Sequence, residues 1–200
     1  WTCSKCGELG EEKMRRALRK EAETAAELAA IESEPDALRR KPSTTAGLVR
    51  RAAKELSPTH HVVVKAHAEL AKHCASIAQA AQHPMHGAII ARNFGKPDSL
   101  REQAASWGLR GVKICECIAA GCSGGVLCAT QHAPVYECAT ACFYASQDLL
   151  AVRNPPSHLV AFIARYLPHF YILYGRDDAD VAKIKSDLVS VADLSASFAV

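Results

Sequence analysis

Aromatic side chains are scarce in these 200 residues, at 6% of the chain. A sheet sandwich draws on aromatic and β-branched residues for its facing layers, so the scarcity argues against one. Charge of one sign is missing as well. The formal net charge is +3, and Lys/Arg nearly balance Asp/Glu even in the most charged stretch, 11–56. That balance calls for no nucleic acid partner. No apolar run approaches the ~20 residues that span a bilayer, so no membrane partner is expected. The start carries no signal-peptide pattern. It also lacks an initiator Met, opening on Trp1, which predicts a piece of a longer protein or a processed product.

What is abundant is alanine and cysteine. Hydrophobic residues make up 49% of the chain, and much of that is Ala, which suits a packed helical array. The length fits one domain with a small appendage. Nine cysteines would suggest a disulfide framework in a small secreted chain. Here Cys74, Cys115, Cys122, Cys138 and Cys142 sit at helical spacing among apolar residues, where reduced thiols behave as small core groups. A reducing compartment, cytoplasmic or nuclear, is the expectation.

Periodicity predicts a helix over 11–33, with Met14, Leu18, Ala25, Leu28 and Ile31 on one stripe. Glu34-Pro35-Asp36 ends it, and Arg39-Arg40-Lys41-Pro42-Ser43 reads as a polar connection. A second helix is expected over 44–56. Ser57-Pro58-Thr59 leads into a third over 59–82, with Val63, Ala66, Leu70, Cys74, Ile77 and Ala81 on one face. The Val62-Val63-Val64 run invites a strand, but the helical period continues past it. Residues 83–98 are the least regular. Ser99-Leu100-Arg101-Glu102 is a capping box, which starts a helix running to about Gly121. Another helix follows Pro134, through Val135, Cys138, Cys142, Ala145 and Leu149. Asn154-Pro155-Pro156-Ser157 starts the next, which Pro168 should kink or split. Gly175 suits its left-handed C-cap, and Asp177 or Asp178 caps a last helix through Val181, Ile184 and Leu188. The expected fold is an all-α, antiparallel helical array over 11–200, without a clean 34-residue repeat.

Cys3 and Cys6 have the Cys-x-x-Cys-Gly spacing of half a zinc site, in which two thiolates on a tight turn reach one ion at about 2.3 Å. A structural zinc takes four ligands, and the next Cys or His is His60. The missing pair is therefore expected upstream of Trp1. The alternative is a pair of exposed thiols at a frayed end. Cys115, Cys117, Cys122 and Cys128 invite a second metal reading, which needs the helix to break at Gly121; buried and half-buried thiols are the simpler account. Gly121-Cys122-Ser123-Gly124-Gly125 matches a nucleophile elbow, but that turn needs a strand before it. Asp148 with His158, or Asp177, would be poor partners for Ser123. His60-His61 and His83 with His86 could hold metal or simply serve as solvated caps and turns. Arg39-Arg40-Lys41 and Arg50-Arg51 form the strongest basic patch, read as a solvated face. Phe162, Tyr166, Phe170 and Tyr174 make an aromatic stripe, either core or the lining of a peptide groove.

Four segments, in order, resemble a family. Trp1-Thr2-Cys3-Ser4-Lys5-Cys6-Gly7 resembles the end of the post-SET cysteine module in the SET- and MYND-domain (SMYD) protein-lysine methyltransferase family, in particular its arthropod SmydA-like group. Leu56-Ser57-Pro58-Thr59-His60 is similar to the Leu-His-Pro-x-His motif that follows, with Ser57 where a His is usual. His132-Ala133-Pro134-Val135-Tyr136-Glu137 is similar to the start of the next helix pair. Tyr174-Gly175-Arg176-Asp177-Asp178 is similar to the closing His-Gly-x-x-His motif, with Tyr174 and Asp178 replacing its histidines. The resemblance implies that residues 1–10 end a zinc-binding post-SET module and that 11–200 form a helical domain like tetratricopeptide repeats. That domain would make one wall of the substrate cleft. It implies a parent that transfers methyl groups from S-adenosylmethionine to protein substrates or partners such as histones or transcription regulators. The catalytic SET core and cofactor site would lie before Trp1, leaving no catalytic or cofactor-binding residue on this chain. Rival readings are a free-standing helical interaction adaptor and, more remotely, a serine hydrolase using Ser123.

Overall fold

The computed structural model describes residues 2–3, 7–8, 10–34, 36–58, 60–123, 150 and 155–197. Among them the secondary structure is helical apart from one minimal hairpin. Its strands, β1 (Thr2–Cys3) and β2 (Gly7–Glu8), pair antiparallel, Thr2 opposite Glu8 and Cys3 opposite Gly7. The described helices are α1 (Glu11–Glu32), α2 (Pro42–Glu55), α3 (His61–Ala80), α4 (Gly87–Phe94), α5 (Pro97–Ser123), α6 (Ser157–Tyr174) and α7 (Ala179–Ser197). None of them is long and apolar enough to cross a membrane.

The first helix follows its expected stripe only in part. Glu11 and Glu12 in the first turn complement the positive end of the helix. Leu28 is buried and Ile31 packs against the core. Leu18, however, is 57% exposed and Ala25 is exposed too, while Thr24 is buried in its place. After α1, Asp36 caps a single 3-10 turn (Ala37–Arg39) by accepting the Leu38 N–H at 2.9 Å. Pro42 then occupies the first turn of α2, where its missing N–H would have had no partner anyway. The helix therefore begins two residues earlier than its apolar pattern suggests.

The third helix carries the fold. His60 caps it, its Nδ1 accepting the Val62 N–H at 3.3 Å. Val62, Val63 and Val64 are helical and all buried. The expected face is buried throughout, and so are Ala68, Ala71 and Ala78 on other sides. The helix packs against α1, α2, the 3-10 turn, α4 and α5, while α5 also meets α6 and α6 meets α7. His73, inside this packing, is fully used. Its Nδ1 lies 3.2 Å from the Thr45 hydroxyl and its Nε2 lies 2.8 Å from the Ala37 carbonyl oxygen. With Nε2–H donating to the carbonyl and Nδ1 accepting from Thr45, one ring ties the 3-10 turn and α2 to α3.

Three further features differ from expectation. Residues 87–94, expected to be irregular, form α4. The chain turns back tightly after α3, and a Cβ on Gly87 would stand 2.4 Å from the Ala81 carbonyl oxygen. Ile90 then joins Ile77, Ala78, Ala81 and Leu100 in a small second cluster. The Ser99–Glu102 capping box does not start α5, which already begins at Pro97; proline's fixed φ fits that first position. Pro168 lies inside an uninterrupted α6. A mid-helix proline costs about 3 kcal/mol, but Phe170 is fully buried two residues on and Leu167 packs on the core. Tertiary burial outweighs the break.

The C-terminal caps agree with the sequence. Gly175 ends α6 at φ 96°. The Asp178 carboxylate accepts the Asp180 and Val181 N–H groups, each at 3.0 Å. The helix expected through Val135, Cys138, Cys142, Ala145 and Leu149 lies outside the described residues; Leu150, just after it, is helical and buried.

Leu70→Ala should cost about 2–5 kcal/mol in urea unfolding, as a fully buried leucine in a dense core, whereas Leu18→Ala should stay within about 0.5 kcal/mol. Glycines give a paired test. Gly47 has nothing within 4 Å of an added Cβ and is exposed in α2, so Gly47→Ala should stabilise by up to about 1 kcal/mol. Gly87→Ala should destabilise, since backbone must move to admit the methyl group.

Candidate metal centre and neighbouring polar clusters

Cys3 lies in β1 with Gly7 as its cross-strand partner, so Cys6 occupies the sequence position just before that partner. Cys6 itself is outside the described residues. The backbone register places the two ends of the Cys-x-x-Cys-Gly segment, Cys3 and Gly7, opposite each other.

A different group of ligand-type side chains meets between α1 and α3. Glu21 projects from the middle of α1; His60 caps α3 and His61 is its first residue. The Glu21 carboxylate sits astride the two rings, one oxygen 3.7 Å from His60 Nε2 and the other 3.5 Å from His61 Nε2. The rings are tilted by 30° with centroids 4.5 Å apart. All three ligand-type atoms lie within 4.8 Å of one another. His61 is exposed, while His60 and Glu21 are half-buried. Burial, then the neighbouring His61, lowers the His60 pKa below the ordinary histidine value, against an opposing pull from Glu21. A neutral His60 whose Nδ1 accepts the Val62 N–H carries its proton on Nε2, facing Glu21. The His60-His61 pair is readable in sequence. Glu21, some forty positions away, is not, because the pattern of α1 gives no sign of which carboxylate faces the α3 cap.

The remaining candidates resolve as follows. His83 and His86 stack with centroids 5.3 Å apart, both exposed, and His83 Nδ1 accepts the Met85 N–H. Cys74 is buried, and burial pushes its thiol up to about 12; Cys117 is exposed. The α5 helix continues through Gly121 to Ser123, so the break required by a Cys115/Cys117/Cys122/Cys128 site does not occur there, and Cys128 lies outside the described residues. Ser123 likewise ends a helix and not a strand, which removes the support a nucleophile elbow needs. His158 is exposed at the start of α6, Asp177 is exposed, and Asp148 is outside the described residues. Arg39 pairs with Glu34 and Asp36, and Arg51 with Glu27, so two of the five cations in the basic patch have carboxylate partners.

The aromatic stripe is core. Phe162, Tyr166 and Phe170 are buried and Tyr174 packs against them. The Tyr166 hydroxyl and the Arg165 guanidinium donate to the same Glu116 carboxylate oxygen, joining α6 to α5. Burial and then that carboxylate hold Tyr166 above the ordinary tyrosine range. A groove of about 170 Å³ opens where α1, the 3-10 turn and α3 meet, with Glu32, Glu34, Asp36, Glu69, Arg40 and Lys72 in its lining. No family profile, curated protein or solved structure matches the chain.

His67 supplies a pH test. It is buried in α3, its Nδ1 lying 2.8 Å from the Val63 carbonyl oxygen and its ring 5.7 Å from that of Trp107. Burial lowers its pKa, and Arg110 adds to the effect, while the Val63 hydrogen bond opposes it. The folded state therefore binds this proton less readily than the unfolded chain. The stabilisation is complete above the ordinary histidine value of 6.5 and is lost as pH falls below it. The urea midpoint should drop between pH 7.5 and pH 5, and His67→Gln should flatten that drop.

Proposed function

We propose that this chain is the C-terminal part of a SET- and MYND-type, S-adenosylmethionine-dependent protein-lysine methyltransferase-like protein. It forms the helical wall that binds substrate or partner and does not itself carry the catalytic core. The observation that carries the reading is the position of the resembling segments. Trp1–Gly7 includes β1 and the first residue of β2 before α1, Leu56–His60 leads into α3, and Tyr174–Asp178 is the joint between α6 and α7. Motifs that set helix entries and exits belong where such a scaffold changes direction. The fourth segment, His132–Glu137, lies outside the described residues.

In this reading the helices stack like tetratricopeptide repeats, and Cys3 and Cys6 complete a zinc site with two ligands from upstream chain. S-adenosylmethionine binds only in the parent's SET core. Partners are protein segments such as histone tails or transcription regulators, and the protein works in the cytoplasm and nucleus. The groove between α1 and α3 fits such partners in charge. Its four carboxylates, Glu32, Glu34, Asp36 and Glu69, are held by Lys65, Arg39 and Lys72, so a lysine-rich segment binds there by replacing those cations.

The coding sequence upstream of Trp1 tests the reading. A SET signature, Asn-His followed by a Cys-rich stretch, is the expected finding; a start codon close to Trp1 with no further cysteines would leave only a helical adaptor. At the groove, Glu34→Lys with Asp36→Lys should weaken binding of a lysine-rich peptide at least tenfold by fluorescence anisotropy at low salt. An unchanged affinity would remove the groove from the reading.

A further inference from the structure

We propose that Glu21, His60 and His61 form a binding site for a borderline divalent transition ion such as zinc, separate from the cysteine pair at the N-terminus. Two imidazole nitrogens and a carboxylate oxygen are a donor set that suits zinc, with a fourth position left to water. The spacing supports this. Ligand atoms on a tetrahedral zinc with bonds of ~2.0–2.1 Å stand roughly 3.3–3.4 Å apart. The carboxylate straddles the rings, one oxygen 3.5 Å from His61 Nε2 and the other 3.7 Å from His60 Nε2, close to that edge and too long for good hydrogen bonds. With a single carboxylate oxygen, the three ligand-type atoms lie within 4.8 Å of one another, so binding one ion needs them to draw closer. The His61 side chain, 64% exposed, can rotate to close the remaining gap between the rings.

The ion has an identifiable opponent. His60 Nδ1 accepts the Val62 N–H and caps α3. If Nε2 binds the metal, the neutral ring must move its proton to Nδ1, which then cannot accept. Metal and cap exclude each other at His60. The positive end of α3 also disfavours a cation, and the Glu21 carboxylate is the group that offsets it. The site is therefore a reversible one, and occupancy frees the Val62 amide while pinning α1 to the start of α3 through coordination.

The consequence is a local signature that thiol-bound zinc cannot imitate. In the full chain carrying Cys3→Ser and Cys6→Ser, zinc titration followed by nitrogen-15 NMR should shift the imidazole signals of His60 and His61. It should also move the Val62 amide and speed its hydrogen exchange. Glu21→Gln and His61→Ala, which keep the His60 cap, should each weaken zinc binding at that signature at least tenfold while leaving the circular dichroism unchanged. Imidazole signals indifferent to millimolar zinc would overturn the proposal. So would affinity within twofold of the parent in both variants.

Discussion

A twenty-residue helix that leaves one polar stripe, Lys65, Glu69, Lys72, Ser76 and Gln79, at least partly open must find cover on its other flanks, and that demand from α3 arranges the rest of the molecule. Twelve of its residues are buried, among them Leu70 and Ile77 without measurable exposure. Burying apolar surface stabilises by roughly 25 cal/mol per Å², so the neighbours α1, α2, α4 and α5 are held mainly by what they hide of α3. Small residues make close approach sterically possible: Ala66, Ala68 and Ala71 on α3 share one buried cluster with Ala46 and Ala104. An alanine-rich, aromatic-poor composition is the sequence form of that packing.

Two polar side chains in this interior show how such groups are accommodated. His73 is held between Thr45 and Ala37, and Thr24 returns its hydroxyl to the Lys20 carbonyl oxygen. A buried group left unsatisfied would cost about 1–3 kcal/mol. The C-terminal helices rely on a different bond. There Glu116 gathers Tyr166 and Arg165 at one oxygen, so the contact between α5 and α6 combines an aromatic core stripe with a charge-assisted junction. Glu21 contrasts with both, since its two histidine neighbours stand beyond good hydrogen-bond length.

Much of the helical architecture is legible in the sequence, and the misses share a cause. Helices α1, α3, α6 and α7 follow from the 3.6-residue period and from caps such as Asp178. Helix α4 is hidden because His83-Pro84 reads as a breaker, and only the close approach of Gly87 to Ala81 shows that the chain resumes a helix. Pro42 falls in the stretch read as a polar connection and Pro97 in the stretch read as irregular, yet both open helices, since proline serves link and first turn alike. Pro168 and Leu18 depend on what other helices do, which no local pattern carries. The His60-His61 pair could be seen as a metal or cap candidate, but its carboxylate neighbour comes from another helix and is a property of the packing alone.

Cys74 has a consequence for the kinetics of the whole core. Its thiol is buried and held up to about 12, so almost none of it is thiolate at neutral pH, and alkylating reagents attack the thiolate. Reaction at Cys74 therefore waits for α3 to be uncovered, whereas Cys117, exposed on α5, is open to reagent from the outset. The two sulfurs make the protein its own clock, one reporting surface access and the other the frequency with which its centre opens.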